Sequence, residues 1–253
     1  MCTNIIRHDG FGAQYQTIIC SILLSELHGY KFYYTRPDLH TVYSSDEVEE
    51  FEKLMNIRGN YPDASGNEYV INPGRESYPF FENNIDACLK SESMNKIKSL
   101  FKSGKKTPFD EKYKNVAVHI RRPSPSSTID IPEHLDGLQV KHITDFSVNH
   151  GERFTHDKHF LDAMDCIRDR YPNAKFHIFS EGDLSLFKAF EAPDVLFRLN
   201  ENAAETFTMC VFADVLLTCK SSFSYTAAIL SDNEIWYTKF WHPPASHWNI
   251  IKS

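Results

Sequence analysis

The residues best suited to chemistry lie where apolar runs give way to turns. His119-Ile120-Arg121-Arg122 closes the run Asn115–Ile120 (NVAVHI). An arginine there presents a permanently charged planar fork matched to phosphate oxygens. Open α/β sheets bind ligands beyond the C-terminal ends of their strands. Arg121 is therefore read as a ligand contact, while Arg122 has a structural reading beside the binding one. A second set, Thr218-Cys219-Lys220-Ser221-Ser222-Phe223-Ser224, follows the apolar run Asp214–Thr218 and opens a helix. Its hydroxyls and free N–H groups suit phosphate, and Ser222 also reads as a helix cap. A third set is Asp9-Gly10-Phe11-Gly12-Ala13-Gln14. Its glycines would allow a sharp turn and a close ligand approach, but it falls short of the full GxGxxG and equally reads as a plain βα turn. Ser180-Glu181-Gly182-Asp183 follows another apolar run. No Asp-x-Asp pair occurs in the chain, so an acidic turn with Asp183 as helix cap is favoured over a metal site. His156 and His159 lack a further ligand nearby, and neither a P-loop nor a GxSxG elbow is present.

These residues must be positioned by alternating strands and helices. A short strand at Thr3–Arg7, the glycine turn, a helix over Ala13–His28 stopped by Gly29, and an aromatic strand at Tyr30–Thr35 make a βαβ opening. An acidic amphipathic helix at Asp46–Met55, a loop at Asn56–Ser77 and a helix at Asn84–Phe101 follow. The polar stretch Ser103–Lys114 reads as a boundary. The pattern then restarts with a strand at Asn115–Ile120 and a long loop from Arg122 to about Phe154. After it come a helix at Asp157–Tyr171 with Phe160, Leu161, Met164 and Ile167 on one face, and a strand at Lys175–Ser180. The rest reads as a helix at Leu184–Phe190, a strand at Val195–Leu199, a helix at Glu205–Phe212, the strand Asp214–Thr218, a helix at Ser222–Leu230 and a strand at Glu234–Tyr237. The expected architecture is α/β, with two Rossmann-like domains, residues 1–108 and 109–253, facing each other across a cleft.

The 253-residue length suits two such domains, each with a real core. A net charge of −7 without a long Lys/Arg run disfavours general nucleic-acid binding, so a phosphate ligand needs a few focused groups. The six cysteines are scattered, and Cys20, Cys166 and Cys210 read as small core fillers, which fits a reducing compartment. No signal peptide and no membrane-spanning run is visible, which points either to a cytoplasmic enzyme of bacterial or viral type or to a trimmed chain.

Three motifs together resemble the fucosyltransferase superfamily: alpha-1,2- and alpha-1,6-fucosyltransferases, NodZ-type enzymes and protein O-fucosyltransferases. They are the Gly-Phe-Gly turn before a Gln-bearing helix, VAVHIRR, and TFTMCVFADVLLTCKSSFSYTAAIL. The resemblance implies the GT-B fold, GDP-fucose as donor held mostly by the C-terminal half, and an acceptor side in the N-terminal half. It further implies inversion at the sugar carbon, and no metal or other cofactor. Donor contacts would be Gly10, Gly12, His119, Arg121, Arg122, Ser221, Ser222 and Phe223, with Arg121 at the diphosphate. Pro123-Ser124-Pro125-Ser126 stands where relatives often carry Gly or Asp. Asp9 and Asp130 are the candidates for a general base toward a glycan hydroxyl. Two other readings remain: a transferase of the same fold using a UDP-sugar or another GDP-sugar, and a non-catalytic carbohydrate-binding module.

Overall fold

The computed structural model of the protein describes residues 1–5, 9–37, 44–64, 76–122 and 155–251. The chain divides into two compact units, Met1–Lys106 and Thr107–Ser253.

In the N-terminal unit, β1 (Cys2–Thr3) and β2 (Phe32–Tyr33) pair in parallel around α1 (Phe11–Leu27), which bears out the βαβ opening. The strands are shorter than the apolar runs suggest. Asn4 extends the ladder with its side chain, donating from Nδ2 to Thr35 O at 2.8 Å and accepting from Thr35 N at 3.0 Å. Helix α1 is buried along Phe11–Ser25 rather than on one stripe, as befits a central helix. It ends where expected. Gly29 adopts φ +63°, and Tyr30 N donates back to Ser25 O at 2.8 Å. Helix α2 (Ser45–Met55) starts on a capping box formed by Ser44 and Glu47. The helix expected over Asn84–Phe101 is divided into α4 (Ile85–Leu89) and α5 (Glu92–Lys102), after α3 (Ser77–Asn83). The break falls at Ser91, whose extended backbone lets its hydroxyl accept from Met94 N at 3.1 Å and cap α5.

The C-terminal unit is built on a six-stranded, all-parallel sheet in the order β5-β4-β3-β6-β7-β8. The strands are β3 (Lys114–His119), β4 (Ala174–Ser180), β5 (Val195–Leu199), β6 (Val215–Leu217), β7 (Glu234–Thr238) and β8 (Asn249–Ile251). Such sheets carry helices on both faces, which explains the continuous apolar runs of β3 and β6. On one face Val116, Val118, Phe176, Ile178, Val215 and Leu217 pack with Phe160, Met164 and Ile167 of α6 (Asp157–Arg170) and with Phe187 and Phe190 of a 3-10 helix (Leu184–Phe190). Each such side chain contributes about 1.5–3 kcal/mol on full burial. Helix α7 (Ala203–Phe212) packs on β3 and on α8 (Ser222–Leu230).

All six cysteines are free, and Cys166 is exposed, contrary to its reading as a core filler. The buried stripe of α6 runs through Phe160, Ala163, Met164 and Ile167, and Cys166 lies beside it. Among the described residues no helix is long and apolar enough to cross a membrane.

Candidate functional site

Counting from β3, the sheet order of the C-terminal unit is 3-2-1-4-5-6. In this doubly wound order the chain leaves the central pair in opposite directions, and a crevice opens beyond the C-terminal ends of the first and fourth strands. Here those strands are β3 and β6, paired Val116 to Val215 and Val118 to Leu217. The two sequence motifs begin where that pairing stops. His119 Nδ1 lies 3.2 Å from Cys219 Sγ. The Phe223 ring of α8 covers the imidazole at 5.1 Å between centroids, and Phe207 of α7 meets Phe223 edge-on, also at 5.1 Å.

The turn from β6 into α8 is tied by hydroxyls. Ser221 caps the helix, its Oγ accepting from Phe223 N at 3.3 Å, so the cap lies one residue before the expected Ser222. Ser222 is the first helical residue and is half-buried. Ser224 Oγ accepts from Cys219 N at 3.3 Å and donates to the carbonyls of Cys219 and Ser221, each at 3.4 Å. The first-turn N–H groups of such a helix carry partial positive charge and suit an anion.

The electrostatics separate the members of the cluster. Burial, then the Arg121 guanidinium, push the His119 pKa down from 6.5 to about 3. The residue as a whole is half-buried, and the protein around the imidazole holds it neutral at physiological pH. Burial also raises the Cys219 thiol, partly offset by Ser224 and Arg121. The pair is therefore uncharged, and fixed positive charge at the end of β3 comes from Arg121. That residue is exposed, while Arg122 is buried. The Arg122 side chain has no solvent exposure and pairs with Asp157 at the start of α6. Its guanidinium also sits 5.2 Å from the centre of the Phe187 ring. Successive residues of an extended chain point to opposite sides, so the two arginines divide into one turned outward and one anchoring α6.

Asp9, Gly10 and Gly12 belong to the N-terminal unit. Asp9 is exposed and its Oδ1 accepts from Gly10 N at 2.8 Å. Gly10 caps α1 with φ −65° and ψ 162°, ordinary extended geometry, and Gly12 lies inside the helix. Neither backbone requires glycine for a left-handed turn. Phe11 between them is a core anchor, stacked on Phe51 at 4.1 Å. Asp130 and the loop after Arg122 lie outside the described residues. Asp183 caps the 3-10 helix, accepting from Ser185 N at 2.8 Å. The His156 and His159 rings lie 6.0 Å apart, and among the described residues no group of three or more His, Cys, Asp or Glu side chains is placed to hold a metal ion. Cys219 and Ser224 are additions to the sequence reading. Both stood in the serine motif, but only the fold shows that one reaches His119 and the other ties the turn.

No protein-family model and no curated protein matches the chain. Among solved structures it is similar to the heptosyltransferase WaaC of E. coli, with TM-score 0.45 and 9% identity over 99% of this chain and 92% of that one. It is also similar to the fucosyltransferase NodZ from Bradyrhizobium, with TM-score 0.41 and 11% identity over 90% of this chain and 92% of that one. A third is the beta Kdo 2,7 transferase KpsC of Thermosulfurimonas dismutans, with TM-score 0.34 and 15% identity over 68% of this chain. There the chain spans 51% of the KpsC length. The three solved proteins are glycosyltransferases by description.

Proposed function

We propose that the chain is an inverting glycosyltransferase of the GT-B kind that moves fucose from GDP-fucose to a glycan hydroxyl without a metal ion. The carrying observation is the placement of Arg121 and the α8 N-terminus at the ends of the adjacent strands β3 and β6, with His119 and Cys219 in contact between them. The sequence resemblance supplies the donor. In the reaction the acceptor oxygen forms a bond to the anomeric carbon while the bond to the diphosphate breaks. Negative charge collects on departing GDP. Arg121 and the first-turn N–H groups of α8 stabilise that charge as it develops. The acceptor proton passes to a carboxylate, for which Asp9 and Asp130 are the candidates. His119 is too weak a base for this at neutral pH, with its pKa pushed down to about 3.

The test is a thermal melt with nucleotides followed by turnover. GDP and GDP-fucose should raise Tm, since a ligand that binds the folded state stabilises it, and UDP-sugars should do so less. GDP release from GDP-fucose should persist in excess EDTA. Equal shifts with UDP and GDP remove the fucose assignment. Activity that EDTA abolishes and manganese restores removes the metal-free mechanism.

A further inference from the structure

Strand β7 runs beside β6 in register, with Trp236 opposite Leu217. Past that pair, Thr238 N donates to Thr218 Oγ1 at 3.1 Å and Thr238 Oγ1 donates to Thr218 O at 2.6 Å. The chain therefore leaves β7 level with the turn that carries Cys219–Ser221, one strand spacing of about 4.8 Å away. It leaves as the loop Lys239-Phe240-Trp241-His242. This loop is fastened to α8. Tyr225 stacks on the His242 ring at 4.7 Å and donates its hydroxyl to Pro243 O at 2.8 Å. Tyr237 donates to His242 O from below. Trp241 donates its indole N–H to His242 Nε2 at 3.0 Å and lies 3.6 Å from Phe240 between ring centroids. His242 is buried, yet Trp241 stays 51% exposed. The result is a large ring, fixed in orientation and half in water, on the C-terminal edge of the sheet, where open α/β sheets bind their ligands.

We propose that Trp241 is a stacking platform for the base of the nucleoside diphosphate whose phosphates lie at the α8 N-terminus, an inference that rests on the nucleotide-sugar reading above. The indole N–H is committed to His242, so the exposed part of the ring offers a π-face and no hydrogen bond. A nucleobase needs only such a flat face. A pyranose needs polar partners for its hydroxyls as well. Phe240 and Tyr225 act as positioning residues for the loop.

The test is calorimetric titration of the wild type, Trp241→Ala and Trp241→Phe with GDP and, separately, with inorganic pyrophosphate. Circular dichroism confirms folding. Trp241→Ala should weaken GDP binding roughly 5- to 150-fold, the range a base–aromatic stack supplies. It should leave pyrophosphate binding unchanged, and Trp241→Phe should recover most of the loss. Unchanged GDP affinity in Trp241→Ala overturns the platform and leaves the nucleotide reading standing. Equal losses for GDP and pyrophosphate also overturn it, since Trp241 would then act through the phosphate site. If the wild type binds neither ligand, the nucleotide reading fails and takes the platform with it.

Discussion

Replacing Asp157 by alanine strands the Arg122 guanidinium. The Arg122 side chain is fully buried, and its partner Asp157 is 19% exposed. Among the described residues Arg122 Nε and Nη1 have no hydrogen-bond partner, and Asp157 is the carboxylate paired with the guanidinium. Breaking a buried ion pair costs about 3–5 kcal/mol, most of it the penalty of the unpaired ion left behind. A protein of this size loses roughly 2–4 °C of Tm per kcal/mol. Asp157→Ala should therefore melt about 6–20 °C below the wild type. The double variant Arg122→Met, Asp157→Leu should regain most of that loss, because no charge remains to be desolvated. The neighbouring residue should behave in the opposite way. Arg121→Ala removes an exposed side chain and should change stability by no more than about 0.5 kcal/mol. It should nevertheless cut turnover by roughly 100-fold or more, as the loss of one oxyanion donor does. Arg121→Lys should rescue little, because a point charge does not reproduce a two-pronged contact. Thermal melts by circular dichroism and steady-state release of GDP read the two effects. An Asp157→Ala protein that melts with the wild type refutes the structural role. A folded Arg121→Ala protein with wild-type turnover refutes the catalytic one.

Two more outcomes concern the same cluster and its surroundings. The His119 pKa is about 3 in the folded chain against an ordinary 6.5. Between those values the unfolded chain holds a proton that the folded chain refuses, so stability should fall as pH drops from about 6.5 toward 3. His177, held down at about 4, acts in the same sense. Urea melts from pH 4 to 7 should show a shallower decline for His119→Gln than for the wild type, and identical slopes would remove the assignment. Iodoacetamide should label Cys166 first, since the other five cysteines are buried. Rapid labelling of Cys219, read by peptide mass spectrometry on the folded protein, would contradict the closed turn at the head of α8.

The α/β alternation was legible because its signals are local. Apolar runs such as NVAVHI and DVLLT mark strands buried on both faces, and Gly29 and Asp183 end or begin helices through their own backbone or side chain. The features that stayed hidden depend on neighbours distant in sequence. The opposite fates of Arg121 and Arg122 are set by Asp157 and Phe187, which no local pattern connects to them. The contact of His119 with Cys219 spans 100 positions. Cys166 looked like core because Met164 and Ile167 lie close to it in sequence, but a helix turns each residue by a fixed angle, and one step moved it off the buried stripe. Strand β8 is three residues long and has no flanking signal, so only its pairing with β7 reveals it.

The pairing of β3 with β6 also has a consequence during synthesis. Val116 leaves the ribosome long before its partner Val215 exists. At roughly 5–20 residues per second, the intervening stretch takes on the order of 5–20 s to make. Through that interval β3, whose four central residues are all buried in the finished sheet, has one edge with nothing of its own to pair with. Parallel sheets give no hairpin to shorten the wait, and closing so long a loop adds an entropic cost that slows folding. The short segment Val116–Val118, apolar and bearing no charge, invites pairing with other chains in that position. The adjacency that sets Arg121 beside the start of α8 thus leaves one edge of β3 waiting in the newborn chain until β6 arrives.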